Sequence, residues 1–343
     1  MNIGVESSPV DSTHELRRMQ PGKRKKKLLK WITPILAQLL LMEIAWAEDP
    51  DLSSWNDSVA RKEVVQLIAR IEDTSNPAYL QPQDRVAVFD IDGTLWPERP
   101  TSIAGAFYID RIKDHFQKFR NRDIFQHGDD THSSNGREVP KDGGVDVDSM
   151  ESYKRVVRDW LSSALHPSLK VQYSKLVYAP MHQLIAFLKS KGFKVYLVTA
   201  AESDFMKAAS EDLFGVPPAQ VIGTQMFSKL SEKKDGIAIS RTHIPRFINS
   251  RSNKVLAIND AIGKRPIIAF GNSEGDREML RWVASGGKWN RSFLIKHDDR
   301  DRDREFEYGD EIFREDSSEH QRTESGLTIV SIKKDWKQVF QWQ

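Results

Sequence analysis

Arg85-Val86-Ala87-Val88-Phe89-Asp90-Ile91-Asp92-Gly93-Thr94-Leu95 is the stretch on which the reading of this chain turns. A short continuous apolar run, with no polar residue between Val86 and Phe89, is the pattern of a strand buried on both faces, as in a parallel sheet. It ends in two carboxylates two residues apart and then a Gly-Thr turn, so both acids can point into one small volume beyond the sheet edge. Aspartate is a poor nucleophile towards phosphorus unless a divalent cation quenches the repulsion between it and the phosphate. A second carboxyl group beside it can protonate a leaving oxygen and later take a proton from water. Without the apolar strand before it, the same Asp-x-Asp-Gly-Thr would read equally well as a turn with a helix cap.

Working outward, further strands are expected at Lys194–Thr199, Pro266–Gly271, Ser292–Ile295 and Leu327–Ile332. Helices are expected at Ser58–Asp73, with Ser58 or Asp57 as N-cap, and at Met181–Lys189. Apolar strands alternating with helices predict an α/β fold, a doubly wound, Rossmann-like parallel sheet with its site beyond the carboxyl ends of the strands. The composition changes between Trp96 and Pro180. Ile103–Phe119 and Tyr153–Leu165 look helical, while the stretch from Arg120 to Ser149 is polar and rich in Gly, Asp and His, so an inserted, mainly helical cap is expected at 99–180. The expected divisions are 1–47 as a signal peptide, 48–84 as a covering helix and linker, and 85–98 with 181–343 as the catalytic core.

The chain has 343 residues, a formal net charge of +2 and no cysteine. A disulfide framework, a thiolate metal site and a cysteine nucleophile are therefore excluded. The charge is unevenly placed: residues 1–47 carry eight Lys or Arg against four acids, which leaves the remainder mildly acidic and argues against nucleic acid as a partner. The cluster Lys23–Lys27, an apolar run from Leu28 to Met42 broken by Pro34 and Gln38, and Ala45-Trp46-Ala47 together form the pattern of a secretory signal cleaved after Ala47. Export to the periplasm or outside the cell is expected, with no stable membrane span after cleavage. The alternative is an uncleaved anchor, and Met19 is a second possible start.

Four ordered motifs give the chain its resemblance to the haloacid dehalogenase superfamily, in its phosphatase form. These are Asp90-x-Asp92-Gly93-Thr94, Val198-Thr199, Lys254 within Ser252–Ile258, and Gly271-Asn272-Ser273-Glu274-Gly275-Asp276. Within that superfamily the chain most resembles exported, phosphoserine-phosphatase-like proteins, a similarity that extends to Ser54-Trp55-Asn56-Asp57, Val157-Arg158-Asp159-Trp160 and His297-Asp298-Asp299. The resemblance implies a Mg²⁺-dependent phosphomonoester hydrolase acting on a small phosphorylated metabolite through an aspartyl-phosphate. Asp90 would be the nucleophile and Asp92 the acid–base. Thr199 and Lys254 would hold the phosphoryl group, with Gly93, Thr94 and Ala200 lining its site. Asp90, the carbonyl of Asp92, and Asn272 or Asp276 would hold Mg²⁺. Lys264 competes with Lys254 but precedes a strand, and so belongs at the wrong end of the sheet.

Two departures stand out. Asn272 replaces the usual acid at the first metal-motif position, and Glu202 follows Thr199 closely where its charge would repel a phosphate, unless it is a solvated helix-start residue. A phosphotransferase of the same fold and a secreted binding protein with weak or no catalysis are the rival functions. The mixed-sign run His297–Arg304 is expected to be a solvated loop. His115, His127 and His132 lack metal-ligand spacing. Trp96 and Phe107 are expected in the core or lining a substrate pocket.

Overall fold

The computed structural model describes residues 51–125, 149–233, 236–303 and 326–343. The expected signal peptide, the middle of the Arg120–Ser149 stretch with His127 and His132, and Arg304 lie outside the described residues. Among the described residues no helix is long and apolar enough to cross a membrane.

Helix α1 (Val59–Glu72) starts where the Ser58 hydroxyl accepts the Arg61 N–H, and its buried stripe is Ala60, Val64, Leu67, Ile68 and Ile71. Strand β1 (Val86–Phe89) follows, buried at all four positions. Between β1 and the next strand come α2 (Ile103–Phe125), α3 (Met150–Ser163), which buries Tyr153, Val157, Trp160 and Leu161, and α4 (Ala179–Ser190). Then come β2 (Lys194–Glu202), the single-turn helices α5 (Ser203–Lys207) and α6 (Ser210–Phe214), β3 (Val221–Lys233) and β4 (Gly236–Phe247). The chain continues through α7 (Ser252–Ile262), β5 (Ile268–Gly271), α8 (Arg277–Ala284), β6 (Arg291–Lys296) and β7 (Leu327–Ser331).

The strands form one sheet in the order β4-β3-β2-β1-β5-β6-β7. Every pairing is parallel except that of β3 with β4, so the α/β sheet is mainly parallel, with one antiparallel edge. That hairpin departs from the wholly parallel sheet expected from the sequence. Strand order reverses at β1, and in such sheets the crevice at the reversal, beyond the strands' carboxyl ends, is where ligands bind.

Side chains alternate across the sheet and build two cores. On one face Phe89, Phe270 and Phe293 are register partners on β1, β5 and β6, and they stack with ring centroids 4.6 and 4.7 Å apart. On the other, Val86, Val88, Val198, Ala269 and Leu294 pack with Ala257, Ile258, Met279 and Val283 of α7 and α8. Each aromatic contact adds about 0.5–1.5 kcal/mol beyond area burial, which strengthens the packing of β1, β5 and β6 against one another. Trp96 and Phe107 are fully buried and belong to the core.

The expectation of a solvated loop at His297–Arg304 is overturned for its described part. His297 is buried, Asp298 accepts from the Ser331 hydroxyl and the Lys333 N–H, and Asp299 pairs with Arg302. Arg302 in turn donates to the carbonyls of Ile332, Lys333, Trp336 and Lys337. Asp298, Asp299 and Arg302 thus tie the run to the C-terminal segment, while Arg300 and Asp301 face water.

Candidate active site

Asp90 is the first residue after β1, and its N–H donates to the Phe270 carbonyl at 2.9 Å. This bond carries the strand geometry one residue beyond the last rung and fixes the carboxyl group at the switch point. Gly93 sits at φ 79°, a left-handed conformation that favours glycine, and reverses the chain there. Its carbonyl lies 2.7 Å from His297 Nε2, which ties the turn to the end of β6. The hydroxyl of the buried Thr94 stands between two oxygens, 3.4 Å from Asp90 Oδ2 and 3.1 Å from Asn272 Oδ1.

Lys254 reaches up from α7 and is almost completely buried. Its Nζ lies 2.5 Å from Asp90 Oδ1 and 2.6 Å from Asp276 Oδ1. Burial by itself would lower the lysine pKa, but the two carboxylates outweigh it and hold the ammonium charged well beyond the usual range. Burial and the charge of Asp276 push Asp90 up, against the pull of Lys254. Lys264, by contrast, lies at the opposite end of the sheet, bonded to Asp84 at 2.8 Å and to the Gln83 carbonyl.

Both oxygens of Asp276 are engaged. While Oδ1 takes Lys254, Oδ2 accepts the N–H groups of Asn272 and Ser273 and the Ser273 hydroxyl, all at 3.1 Å, as part of a capping box at the start of the last metal-motif turn. Gly271 permits this approach, since a Cβ there would stand 2.6 Å from that of Asp276. Asn272 turns its amide nitrogen towards Glu98, at 3.3 Å, and its oxygen towards Thr94.

Asp92 accepts a hydrogen bond from Trp96 Nε1 at 2.8 Å. Burial pushes its pKa up to about 6, with the charge of Glu98 adding to the rise and the bond from Trp96 opposing it. Two neighbouring carboxyl groups thus differ in environment. Asp90 lies against an ammonium, while Asp92 is held by a neutral indole.

At β2 the sheet geometry itself creates a loop. Val198 pairs with Ile222 and Glu202 with Thr224, so four steps on β2 answer two on β3 and Thr199–Ala201 bulge out. The Thr199 hydroxyl accepts from the Ala201 N–H at 2.9 Å, which leaves its own proton to donate, and Ala200 is exposed. Two residues that the sequence reading missed brace this bulge. The fully buried Asn249 donates from Nδ2 to the carbonyls of Thr199, at 2.9 Å, and Ile222, at 3.3 Å. Thr224 Oγ1 donates to the Ala200 carbonyl at 2.6 Å and accepts the Asn249 N–H at 3.1 Å. Asn249 stands three residues before α7, the helix that carries Lys254, so one side chain couples the two groups assigned to the phosphoryl site.

Glu202 is not a solvated helix-start residue. It is buried and ion-paired with Arg241 of β4, while the Tyr108 and Tyr153 hydroxyls donate to its other oxygen. His115 lies on α2, outside this constellation.

Among the described residues no group of three or more His, Cys, Asp or Glu side chains is arranged to hold a metal ion. The oxygens that do converge are of another kind. Asp90 Oδ2 and Asn272 Oδ1 meet around the Thr94 hydroxyl, and they are hard donors of the type Mg²⁺ takes alongside water. Burial first, and then the charge of Asp276, raise the pKa of Asp90, and a cation beside it would favour the ionised form.

A family model described as haloacid dehalogenase-like hydrolase matches residues 87–281, more than half the chain. No curated protein matches significantly. Solved structures similar to the chain include a conserved protein of unknown function from Anaerococcus prevotii DSM 20548, at 17% identity and TM-score 0.47, with 80% of this chain and 92% of that one covered. Another is a protein of unknown function from Bordetella pertussis Tohama I, at 16% identity and TM-score 0.36, covering 72% and 97%. A third, from Francisella tularensis subsp. tularensis SCHU S4, is described as phosphoserine phosphohydrolase-like, at 15% identity and TM-score 0.33, covering 64% and 90%.

Proposed function

This chain belongs to the haloacid dehalogenase-like hydrolase family, and from that membership we propose that it is an exported, Mg²⁺-dependent phosphatase that hydrolyses a small phosphomonoester through an aspartyl-phosphate. One observation carries the reading: Asp90 has one oxygen against Lys254 and the other beside Thr94 and Asn272, at the carboxyl end of the central strand.

In the first step Asp90 Oδ attacks phosphorus, the bond to the leaving oxygen breaks, and Asp92 gives that oxygen its proton. A pKa near 6 keeps a usable fraction of Asp92 protonated near neutrality. In the second step Asp92, now ionised, takes a proton from the water that attacks phosphorus and releases Asp90. Throughout, the Thr199 hydroxyl and the Lys254 ammonium bind the phosphoryl oxygens, with the exposed backbone at Ala200 beside them. Mg²⁺ would be held by Asp90, the Asp92 carbonyl and Asn272, and supplies the charge that lets a carboxylate meet a phosphate. Asp276 is read as orienting Lys254 and the Asn272 backbone, because both its oxygens are already engaged.

The binding-protein reading rested on Asn272 in the metal motif and on the charge of Glu202, and the pairing of that charge with Arg241 removes the second of these supports. The test is a phosphate-release screen over amino-acid, sugar, nucleotide and lipid phosphates with and without Mg²⁺, on the wild type and on Asp90→Asn. The expected result is Mg²⁺-dependent release abolished by Asp90→Asn in a protein that still folds. No release from any substrate would reject the activity, and full activity of Asp90→Asn would reject the nucleophile. Product diverted to added alcohols would identify a phosphotransferase.

A further inference from the structure

Asp90 and Asn272 stand side by side past the carboxyl ends of β1 and β5, where Phe89 pairs with Phe270. Asn272 is fully buried, and what it offers a cation depends on which end of its amide faces Asp90. With the carbonyl oxygen forward it is a hard ligand; turned over, it presents an NH₂ group that repels a cation. The Thr94 hydroxyl does not decide between the two, because a hydroxyl donates to an oxygen as readily as it accepts from a nitrogen.

Glu98 does decide. Its Oε1 lies 3.3 Å from Asn272 Nδ2, and a carboxylate only accepts, so the nitrogen is held towards Glu98 and Oδ1 towards Thr94 and Asp90. The backbone that carries Glu98 is anchored on both sides. Before it, the Trp96 carbonyl accepts the Gly93 N–H at 2.8 Å and the Trp96 indole donates to Asp92. After it, His166 Nδ1 accepts the Ser168 and Leu169 N–H groups, so its Nε2 carries the proton and donates to the Arg99 carbonyl at 2.7 Å. Pro97 and Pro100 restrict the same stretch further. A half-buried glutamate that served only solubility would need none of this framework.

Charge points the same way. Asp90 and Asp276 share the single ammonium of Lys254, so these three groups leave one net negative charge beside the Asp90 and Asn272 oxygens. A divalent cation there calls for a second, and the Asn272 side chain is neutral. Glu98 brings an acid against Asn272, and its charge also reaches Asp92.

We propose that Glu98 is a positioning residue of the Mg²⁺ site: it holds the Asn272 amide with its oxygen towards the cation, and from outside the ligand set it supplies the negative charge that Asn272 lacks. Asn272 and Glu98 together then do what one ligating carboxylate would do. This rests on the Mg²⁺-dependent reading above.

The test is Mg²⁺ binding without substrate, by isothermal titration calorimetry with MgCl₂, and the Mg²⁺-free unfolding midpoint of each variant controls for folding. Glu98→Gln keeps an acceptor for the Asn272 amide and removes the charge, whereas Glu98→Ala removes both. Residues that orient metal ligands are typically worth about 10–100-fold in affinity, so Kd should rise about tenfold in Glu98→Gln and further in Glu98→Ala, with the Mg²⁺-free midpoints unchanged. Asn272→Asp moves the charge into the ligand set and sets it against Glu98. In that background Glu98→Gln should tighten Mg²⁺ binding or leave it as it is, a reversal that a merely structural role would not produce. Wild-type affinity in Glu98→Gln would overturn the proposal, and so would an equal loss in both backgrounds. If Asn272→Asp fails to fold, the two Glu98 variants decide by themselves. A wild type that binds no Mg²⁺ removes the Mg²⁺ reading of the site and this proposal with it, whereas equal binding by the wild type and both Glu98 variants defeats this proposal alone.

Discussion

Replacing Asn249 by alanine removes a side chain that touches neither phosphate nor metal in this reading, and should still reduce both stability and turnover. The amide Nδ2 serves the carbonyls of Thr199 and Ile222, and neither carbonyl can recruit water at a fully buried site. Losing a donor to a buried carbonyl costs about 1–3 kcal/mol. The Ile222 bond is the longer of the two, and the Asn249 Oδ1 atom, buried without a partner, is removed along with the amide, which returns part of the cost. The net expectation is about 2 kcal/mol lost, read as a lower denaturation midpoint at constant m-value. Turnover should fall by about tenfold or more, since a 1.4 kcal/mol misplacement of the Thr199 hydroxyl in the transition state is already a factor of ten. The drop should appear in kcat, with the Mg²⁺ dependence unchanged. Thr224→Val removes the hydroxyl that links the same two segments, so the double variant should lose less than the sum of the singles. A variant Asn249→Ala within about 0.5 kcal/mol of wild type and with unchanged kcat would refute this coupling of the Thr199 bulge to the Lys254 helix.

Lys254→Met leaves Asp90 and Asp276 facing each other in the interior, and breaking a buried pair in this way typically costs about 3–5 kcal/mol. The wild-type lysine pKa is raised above its ordinary value, so its contribution is complete below about pH 10 and is lost only above that. In the variant the deficit should shrink as pH falls towards 4 and one carboxyl group takes a proton; a deficit that is constant from pH 4 to 8 would contradict the proximity of the two acids. In the proposed mechanism the protonated form of Asp92 is the proton donor, and burial pushes its pKa up to about 6. The rate of the first step on an alkyl phosphate should therefore fall about tenfold per unit above pH 6, whereas a p-nitrophenyl ester, whose leaving group needs no proton, should show no such limb. Because the bond from Trp96 favours the ionised form, Trp96→Phe should move the limb to higher pH; a shift to lower pH would show that the assignment is wrong.

What could be read in the sequence was local. The run from Val86 to Phe89 and the acids behind it declare themselves within eleven residues, because a strand buried on both faces must be apolar throughout and the position just past its carboxyl end is where chemistry is placed. The same reasoning set Lys264 at the wrong end of the sheet, where it is found beside Asp84. The hairpin had a signal that went unread: alternating residues on either side of Asp235-Gly236, a dipeptide favoured in tight turns. Glu202 was misjudged as solvated because its partner stands 39 residues further on and reaches it only through that hairpin. His297 looked like part of a charged loop because the Gly93 carbonyl it meets is 204 residues away.

By itself, then, the sequence determined the α/β class and the two acids beyond β1, which follow from periodicity and spacing over a few residues, while the four ordered motifs carried the family resemblance. The tertiary structure alone decided which atoms meet: Lys254 with Asp90 and Asp276, Asn249 with the Thr199 bulge, Arg241 with Glu202 and the tyrosines of α2 and α3. These pairings depend on how sheet order and register bring distant segments together, and long-range contact leaves no period in a single chain. Burial then fixes their energetics, since a charge or amide removed from water must find its partner wherever the fold has placed it.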